Sequence, residues 1–229
     1  MQVSIILPTF NEKNNILLLV KLIKKYIKSI NYEIIVVDDN SPDKTGLICK
    51  KKFKKDNNVK ILINKTRVGF AKSIHKGILH SSKKLLVIMD TDFTHDPILI
   101  PKMIRLTNEY DIISGSRYCA GGYMVEQIHS HLSYIYNLLL KIVLKTQVQD
   151  NLGGFFCISK KNLSKLPNKN IFYGYGEYFF RLLFFATKKN YSILEIPAVY
   201  HKRKSGKSKS KFIYMFYKYI TEAFKLRLK

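Results

Sequence analysis

Short apolar runs and helix-spaced apolar stripes take turns along the first half of the chain. Residues 3–7 form an apolar run closed by Pro8, which predicts a strand. Residues 14–30 carry Ile16, Leu19, Val20, Ile23 and Ile27 at helical spacing. Residues 33–37 are β-branched and continuous, a pattern that suits a parallel strand buried on both faces. Ser41-Pro42 then reads as a helix N-cap followed by proline in the first turn. Residues 59–63 predict a third strand, 72–80 a helix and 85–89 a fourth strand. Asp96-Pro97 starts another helix by the same logic, and 111–114 predicts a fifth strand.

Strand and helix in repeated alternation mean an α/β fold, a mostly parallel central sheet flanked by helices with right-handed crossovers. In such sheets ligands bind beyond the carboxyl ends of the strands. That rule selects residues 8–12, 38–41, 90–94 and 114–117. After about Tyr118 the texture changes. Residues 131–144 form a strongly apolar helix with Lys141 as its one charge, 151–158 are rich in glycine and aromatics, and 178–186 are apolar around Arg181. Residues 201–211 are basic and rich in serine and glycine, which predicts a mobile loop, and 212–228 predict an amphipathic helix of aromatics and lysines.

The 229 residues suit one large domain or two small ones, and 46% hydrophobic with 24% charged residues excludes disorder throughout. No stretch offers about 18 apolar residues without a charge, so no conventional membrane-spanning helix is expected. No basic region precedes the first strand, so no secretory signal is expected either. The net charge of +24 favours a polyanionic partner: nucleic acid, a phosphorylated substrate or an anionic membrane surface. Cys49, Cys119 and Cys157 show neither metal spacing nor a disulfide framework, which suits a reducing compartment. His95, His129 and His131 invite a zinc reading, but His129 and His131, two apart, fall on different faces of a helix and no Cys or further His completes a set.

Three acidic constellations sit at predicted strand ends. Asp90-Thr91-Asp92 places two carboxylates where they can converge on one hard cation, Mg²⁺ or Mn²⁺, which can bridge a diphosphate. Taken alone, the pair is more readily a turn and cap. Asp38-Asp39 can accept hydrogen bonds from a nucleoside or shape a turn through Asn40. In Pro8-Thr9-Phe10-Asn11-Glu12, Asn11 and Glu12 suit the start of a helix.

The joint order is strand-PTFNE, strand-VVDDNSPDKT, a turn around Gly69, strand-MDTDFTH, then ISGSRY. It resembles the family 2 glycosyltransferases of the GT-A fold, over nearly the whole chain. Arg203-Lys204-Ser205-Gly206-Lys207-Ser208-Lys209 resembles the R-x-x-G-x-S-K segment of the polyprenyl-phosphate branch, that of the dolichyl-phosphate mannose synthases. The resemblance implies a single GT-A domain over 1–211, with a nucleotide-binding half (1–117), an acceptor half (118–211) and an amphipathic helix (212–229). It implies that Pro8, Phe10 and Glu12 line the nucleotide pocket, Phe10 standing where tyrosine is usual, and that Val37 and Asp39 contact the nucleoside. Asp90 and Asp92 would hold the metal and the diphosphate, with Thr91 adding backbone contacts and Thr94 near the metal. Asp92 and Arg117 would be catalytic, Arg117 through phosphate. Arg203 and Lys209 would engage the phosphates of donor and acceptor. Asp150 would help position the acceptor, and Glu177 would orient the sugar or pair with a lysine.

The implied reaction is inverting transfer of mannose from GDP-mannose to dolichyl (polyprenyl) phosphate, for glycosylation and GPI pathways, with Mg²⁺ or Mn²⁺ as cofactor. The implied place is the cytosolic face of the endoplasmic reticulum membrane, with small membrane-embedded partner subunits as in the short members of the branch. A UDP-glucose-dependent relative would show the same motifs. A soluble glycosyltransferase acting on protein or glycan would lack the need for a lipid phosphate. A nucleic-acid-binding module would explain the charge but neither the acidic strand ends nor the missing nucleic-acid motif, so no nucleic-acid partner is expected.

Overall fold

A computed structural model describes residues 1–125, 127–201 and 212–228, without the side chains of 127–130 and 212–214. In chain order the first half holds β1 (Gln2–Thr9), α1 (Ile16–Tyr26), β2 (Asn31–Asp38), α2 (Thr45–Lys52), β3 (Val59–Ile63), α3 (Phe70–Leu79), β4 (Leu85–Ile88), α4 (Ile100–Leu106) and β5 (Ile112–Ser116). The second half holds β6 (Tyr123–Met124), α5 (Gln127–Leu144), β7 (Phe156–Ser159), α6 (Lys160–Ser164), α7 (Asn168–Ile171), α8 (Glu177–Lys188), β8 (Ile193–Pro197), β9 (Val199–Tyr200) and α9 (Phe212–Arg227).

Seven strands form one sheet in the order β3-β2-β1-β4-β7-β5-β8. β7 runs antiparallel to both of its neighbours, β4 and β5, and every other pairing is parallel. The sheet is thus mostly parallel, as expected, with one reversed strand that the glycine-rich reading of 151–158 does not anticipate. β1 shows how one strand feeds two cores. Val3, Ile5 and Leu7 pack with Leu19 and Ile23 of α1, Cys49 of α2 and Met103 of α4. Ile6 points the other way, toward Ile74 of α3 and Phe179 and Leu182 of α8. A third cluster joins Tyr136 and Leu140 of α5, Phe180 and Phe184 of α8, and Tyr219 and Ala223 of α9. Gly77 lets α3 settle close on the sheet, because a Cβ there would stand 2.6 Å from Ile6 Cγ2.

Of the two expected helix starts, one differs from expectation and one holds. Ser41 is no N-cap: its hydroxyl donates to Asp38 Oδ1, and α2 begins only at Thr45, after Lys44 adopts a left-handed φ of 64°. Asp43 instead accepts from the Thr45 amide at 3.0 Å. Asp96 does cap, accepting from the Ile98 amide at 2.9 Å, but its helix opens with a 3₁₀ turn, Pro97–Leu99, before α4. Among the described residues no helix is long and apolar enough to cross a membrane.

Glu33 staples the amino end of β2 to its neighbours. It accepts from Ser4 Oγ at 2.7 Å, from the Ser82 amide and hydroxyl, and pairs with Lys60 at 2.6 Å. Burial pushes its pKa up, but these donors outweigh burial and hold it down to about 2. A carboxyl depressed in the folded state contributes stability that is complete above its ordinary value of 4.5 and is lost as the pH falls toward 2. Glu33→Gln is therefore expected to lower the melting temperature at neutral pH and to flatten its fall through that acid window. Parallel melting curves for variant and wild type on acidification would contradict the assignment.

Candidate active site

Three loops at the carboxyl ends of β1, β2 and β4 build one wall of the site. Each turns on a non-glycine residue in the left-handed region: Asn11 (φ 57°), Asn40 (φ 58°) and Phe93 (φ 67°). Such residues are uncommon, and they cluster where surrounding structure over-determines the backbone. The Asn11 amide donates to Ser41 Oγ at 2.9 Å and the Glu12 amide to Thr45 Oγ1 at 3.0 Å, which locks the first loop onto the second. Glu12 Oε2 accepts from Asn15 Nδ2 at 2.7 Å.

The two aspartates after β2 divide their work. Asp38 accepts from the Ser41 amide and hydroxyl and stays inside its own turn. Asp39 reaches across to the next crossover. It accepts from Asn64 Nδ2 at 2.9 Å, the Val68 amide at 2.8 Å and the Gly69 amide at 3.0 Å. The loop held in this way carries Arg67, whose guanidinium carbon lies 4.1 Å from the centre of the Phe10 ring. After β4, Asp92 Oδ1 accepts from the Thr94 amide at 3.0 Å and its hydroxyl at 2.7 Å. The Asp90 amide donates to His95 Nδ1 at 2.9 Å. The buried His95 ring stacks on Phe155, and its Nε2 faces the Gly153 carbonyl at 3.2 Å. Burial, with Arg117 nearby, pushes its pKa down to about 4, so the ring is neutral at pH 7 and ties the β4 loop to the loop before β7.

A cavity of about 580 Å³ opens on these loops, within the size range of small-molecule sites. Pro8, Phe10, Glu12, Asp39, Asp90, Thr91 and Asp92 all line it, so four carboxylates from three separate strand ends share one space. Arg67, Gly153, Gly154, Tyr175, Tyr178, Lys218 and Tyr219 complete the lining used below. Val37 does not line it: its side chain is buried, and a Cβ on Gly77 of α3 would stand 3.1 Å from its Cγ2. Thr94 is absent from the lining and serves Asp92. Arg203 and Lys209 lie outside the described residues.

Arg117, expected at a phosphate, also stands off the lining. Its Nε and Nη2 donate to the two oxygens of Asp150 at 2.8 and 2.7 Å, and its amide donates to Oδ2 at 3.1 Å. The guanidinium lies against the rings of Tyr118 and Tyr200. Arg67 and Lys218 carry no motif, and the fold alone brings them to the cavity. Of the two readings for Glu177, the pairing with a lysine is the one present: Lys218 Nζ lies 2.7 Å from Oε1.

Oxygen atoms dominate the donors available to a cation here. Among the described residues no group of three or more His, Cys, Asp or Glu side chains could hold a metal ion by itself. Two carboxylates that leave room for phosphate oxygens and water suit Mg²⁺ or Mn²⁺ and not a closed structural zinc site.

A family model described as glycosyl transferase family 2 matches residues 4–166. A dolichol-phosphate mannosyltransferase of Pyrococcus furiosus is 32% identical over 218 residues, 92% of this chain and 60% of that protein. This chain thus spans less than two thirds of the length of that relative. An undecaprenyl-phosphate mannosyltransferase of Micrococcus luteus is 28% identical, over 91% of this chain and 87% of that one. Among solved structures, the glucosyl-3-phosphoglycerate synthase of Mycobacterium tuberculosis, in complex with Mn²⁺, UDP and glucosyl-3-phosphoglycerate, aligns with a TM-score of 0.73. That match covers 99% of this chain and 79% of the other at 16% identity, and it is a likeness of fold.

Proposed function

Because the chain belongs to glycosyl transferase family 2, we propose that it transfers mannose from GDP-mannose to a polyprenyl phosphate such as dolichyl phosphate, with inversion at the sugar. The observation that carries this reading is the meeting of Asp39, Asp90 and Asp92 in one cavity, from strand ends far apart in sequence. The naming of two relatives as polyprenyl-phosphate mannosyltransferases supports the choice of sugar and lipid.

Asp90 and Asp92 would hold the divalent ion. When bound, that ion neutralises the charge that develops on the leaving diphosphate. The chain supplies the rest by position. Thr94 fixes one oxygen of Asp92, and His95 fixes the backbone at Asp90. Phe10 under Arg67 forms a flat cationic platform suited to the nucleotide. Asp39 sets the loop that presents Arg67.

No residue of the cavity needs to act as a strong base. A phosphate monoester has its second pKa near about 6, so the acceptor is mostly dianionic at neutral pH. Its oxygen attacks C1 of the sugar, and the C1–O bond to the diphosphate breaks with its electron pair leaving on the nucleotide. In-line attack turns an α-linked donor into a β-linked product.

A lipid acceptor requires the site to meet a bilayer. α5 exposes Leu132, Ile135, Leu139 and Ile142 at helical spacing, and α9 exposes Tyr217 and Phe224. The two helices pack on each other beside the cavity, which suits a protein lying on the membrane surface. The test is transfer of labelled sugar to dolichyl phosphate from GDP-mannose and from UDP-glucose in parallel. GDP-mannose is expected to be used at least about tenfold better, a gap near 1.4 kcal/mol in kcat/KM. Preference for UDP-glucose would replace the donor, and transfer to water-soluble glycans without lipid phosphate would replace the acceptor.

A further inference from the structure

Two cationic side chains line the cavity among the described residues, Arg67 and Lys218. Arg67 lies on Phe10. Lys218 comes from α9, the helix whose outer side exposes Tyr217 and Phe224. Its neighbours Met215 and Tyr219 reach the same cavity wall.

Lys218 is held by a built partner. The Glu177 side chain is 2% exposed, pairs with Lys218 through Oε1 at 2.7 Å and accepts from the Tyr175 amide through Oε2 at 2.9 Å. The adjoining Gly176 amide donates to Tyr219 Oη at 3.0 Å. One helical turn further along α9, Glu222 pairs with the buried Arg181 at 2.9 Å. These contacts anchor α9 at Lys218 and over the turn that follows it. An ammonium offers three N–H donors, and Glu177 takes one. A buried carboxylate that lost this partner would be left largely uncompensated, which favours keeping the lysine at the wall over releasing it to solvent.

The charge pattern says what such a cation serves. Glu12, Asp39, Asp90 and Asp92 make the opposing strand-end loops acidic, so a second anion entering beside a nucleotide needs its own counter-charge. A lysine supplies a point charge suited to a terminal phosphate. Its place on the helix with the exposed aromatic side selects a phosphate that arrives from the lipid surface.

We infer that Lys218, positioned by Glu177, binds the terminal phosphate of the lipid acceptor. The inference rests on the reading of the reaction given above. It adds an acceptor contact on α9 outside every motif recognised in the sequence.

The test uses Lys218→Met, which keeps the aliphatic stem, together with Lys218→Arg and Glu177→Gln. Three quantities are measured on the full chain: KM for a short, water-soluble isoprenyl phosphate, the dissociation constant of GDP with Mn²⁺, and sedimentation with anionic phospholipid vesicles. Lys218→Met is expected to raise the acceptor KM about tenfold or more while GDP affinity and vesicle binding hold. Lys218→Arg restores most of the loss, and Glu177→Gln raises the acceptor KM by a smaller factor. An unchanged acceptor KM in Lys218→Met overturns the inference. An equal loss of GDP affinity makes Lys218 a donor contact, and a loss of vesicle binding alone makes it a headgroup contact. Wild-type protein that binds GDP and Mn²⁺ yet never uses an isoprenyl phosphate removes the acceptor assignment itself, and this inference with it.

Discussion

Asp92→Asn is expected to cut sugar transfer by about 10²–10³-fold, the range seen when one charge-stabilising group is removed from a preorganised site. The asparagine keeps an oxygen where Asp92 Oδ1 accepts from the Thr94 amide and hydroxyl. The turn after β4 therefore survives, and what disappears is the negative charge facing the cavity. Asp92→Ala would remove both, confounding loss of the ion with loss of the turn. The paired measurement is thermal stabilisation by GDP with Mn²⁺. Wild type should gain stability by binding, and Asp92→Asn should gain little while its unliganded melting temperature stays near that of wild type. A variant that keeps full transfer would end the role given to Asp92.

Arg117→Met should produce the largest loss of stability. Asp150 is fully buried and the Arg117 side chain is 9% exposed, so removing the guanidinium leaves a carboxylate in the interior with amide donors alone. Breaking a buried pair in this way costs about 3–5 kcal/mol. For a chain of this size that is a fall in melting temperature on the order of 10 °C. The cost comes from the orphaned carboxylate, so Arg117→Met combined with Asp150→Leu should recover much of it. Activity will fall too, because the pair pins the end of β5 to the loop that runs into β7 through Gly153 and Gly154, and those glycines line the cavity. If the single variant melts within about 1 °C of wild type, the pair is not the anchor described.

Much of this architecture was legible from apolar periodicity alone. The continuous β-branched run predicts β2 because a strand buried on both faces leaves no polar position to break the pattern. β3, by contrast, lies at the sheet edge with Lys60 exposed and is legible from its remaining apolar residues. β7 was not legible. Its residues fall in the glycine- and aromatic-rich stretch that shows no strand pattern, and its reversed direction between β4 and β5 arises from the path of the chain around it. β8 escaped for a similar reason: Glu195 interrupts a five-residue run that ends in Pro197.

The site divides in the same way. Acidic residues directly after predicted strands are visible because strand ends are where ligands bind in such sheets. Arg67 and Lys218 are two among 40 basic residues, and nothing local marks them. Arg67 is singled out by three hydrogen bonds to Asp39 from Asn64, Val68 and Gly69, and Lys218 by a carboxylate 41 positions earlier. The apolar composition of α5 suits a core helix and a lipid contact alike, and packing decides between them: Tyr136 and Leu140 face inward while Leu132, Ile135 and Ile142 face out.

The most direct measurement is transfer from labelled GDP-mannose to dolichyl phosphate before and after chelation of divalent ions. The expected result is loss of the lipid-linked product with chelator and its return with Mn²⁺ in wild type, with no return in Asp92→Asn. Undiminished formation of that product in the presence of chelator would contradict the claim that the carboxylates at the strand ends work by holding a cation against the departing diphosphate.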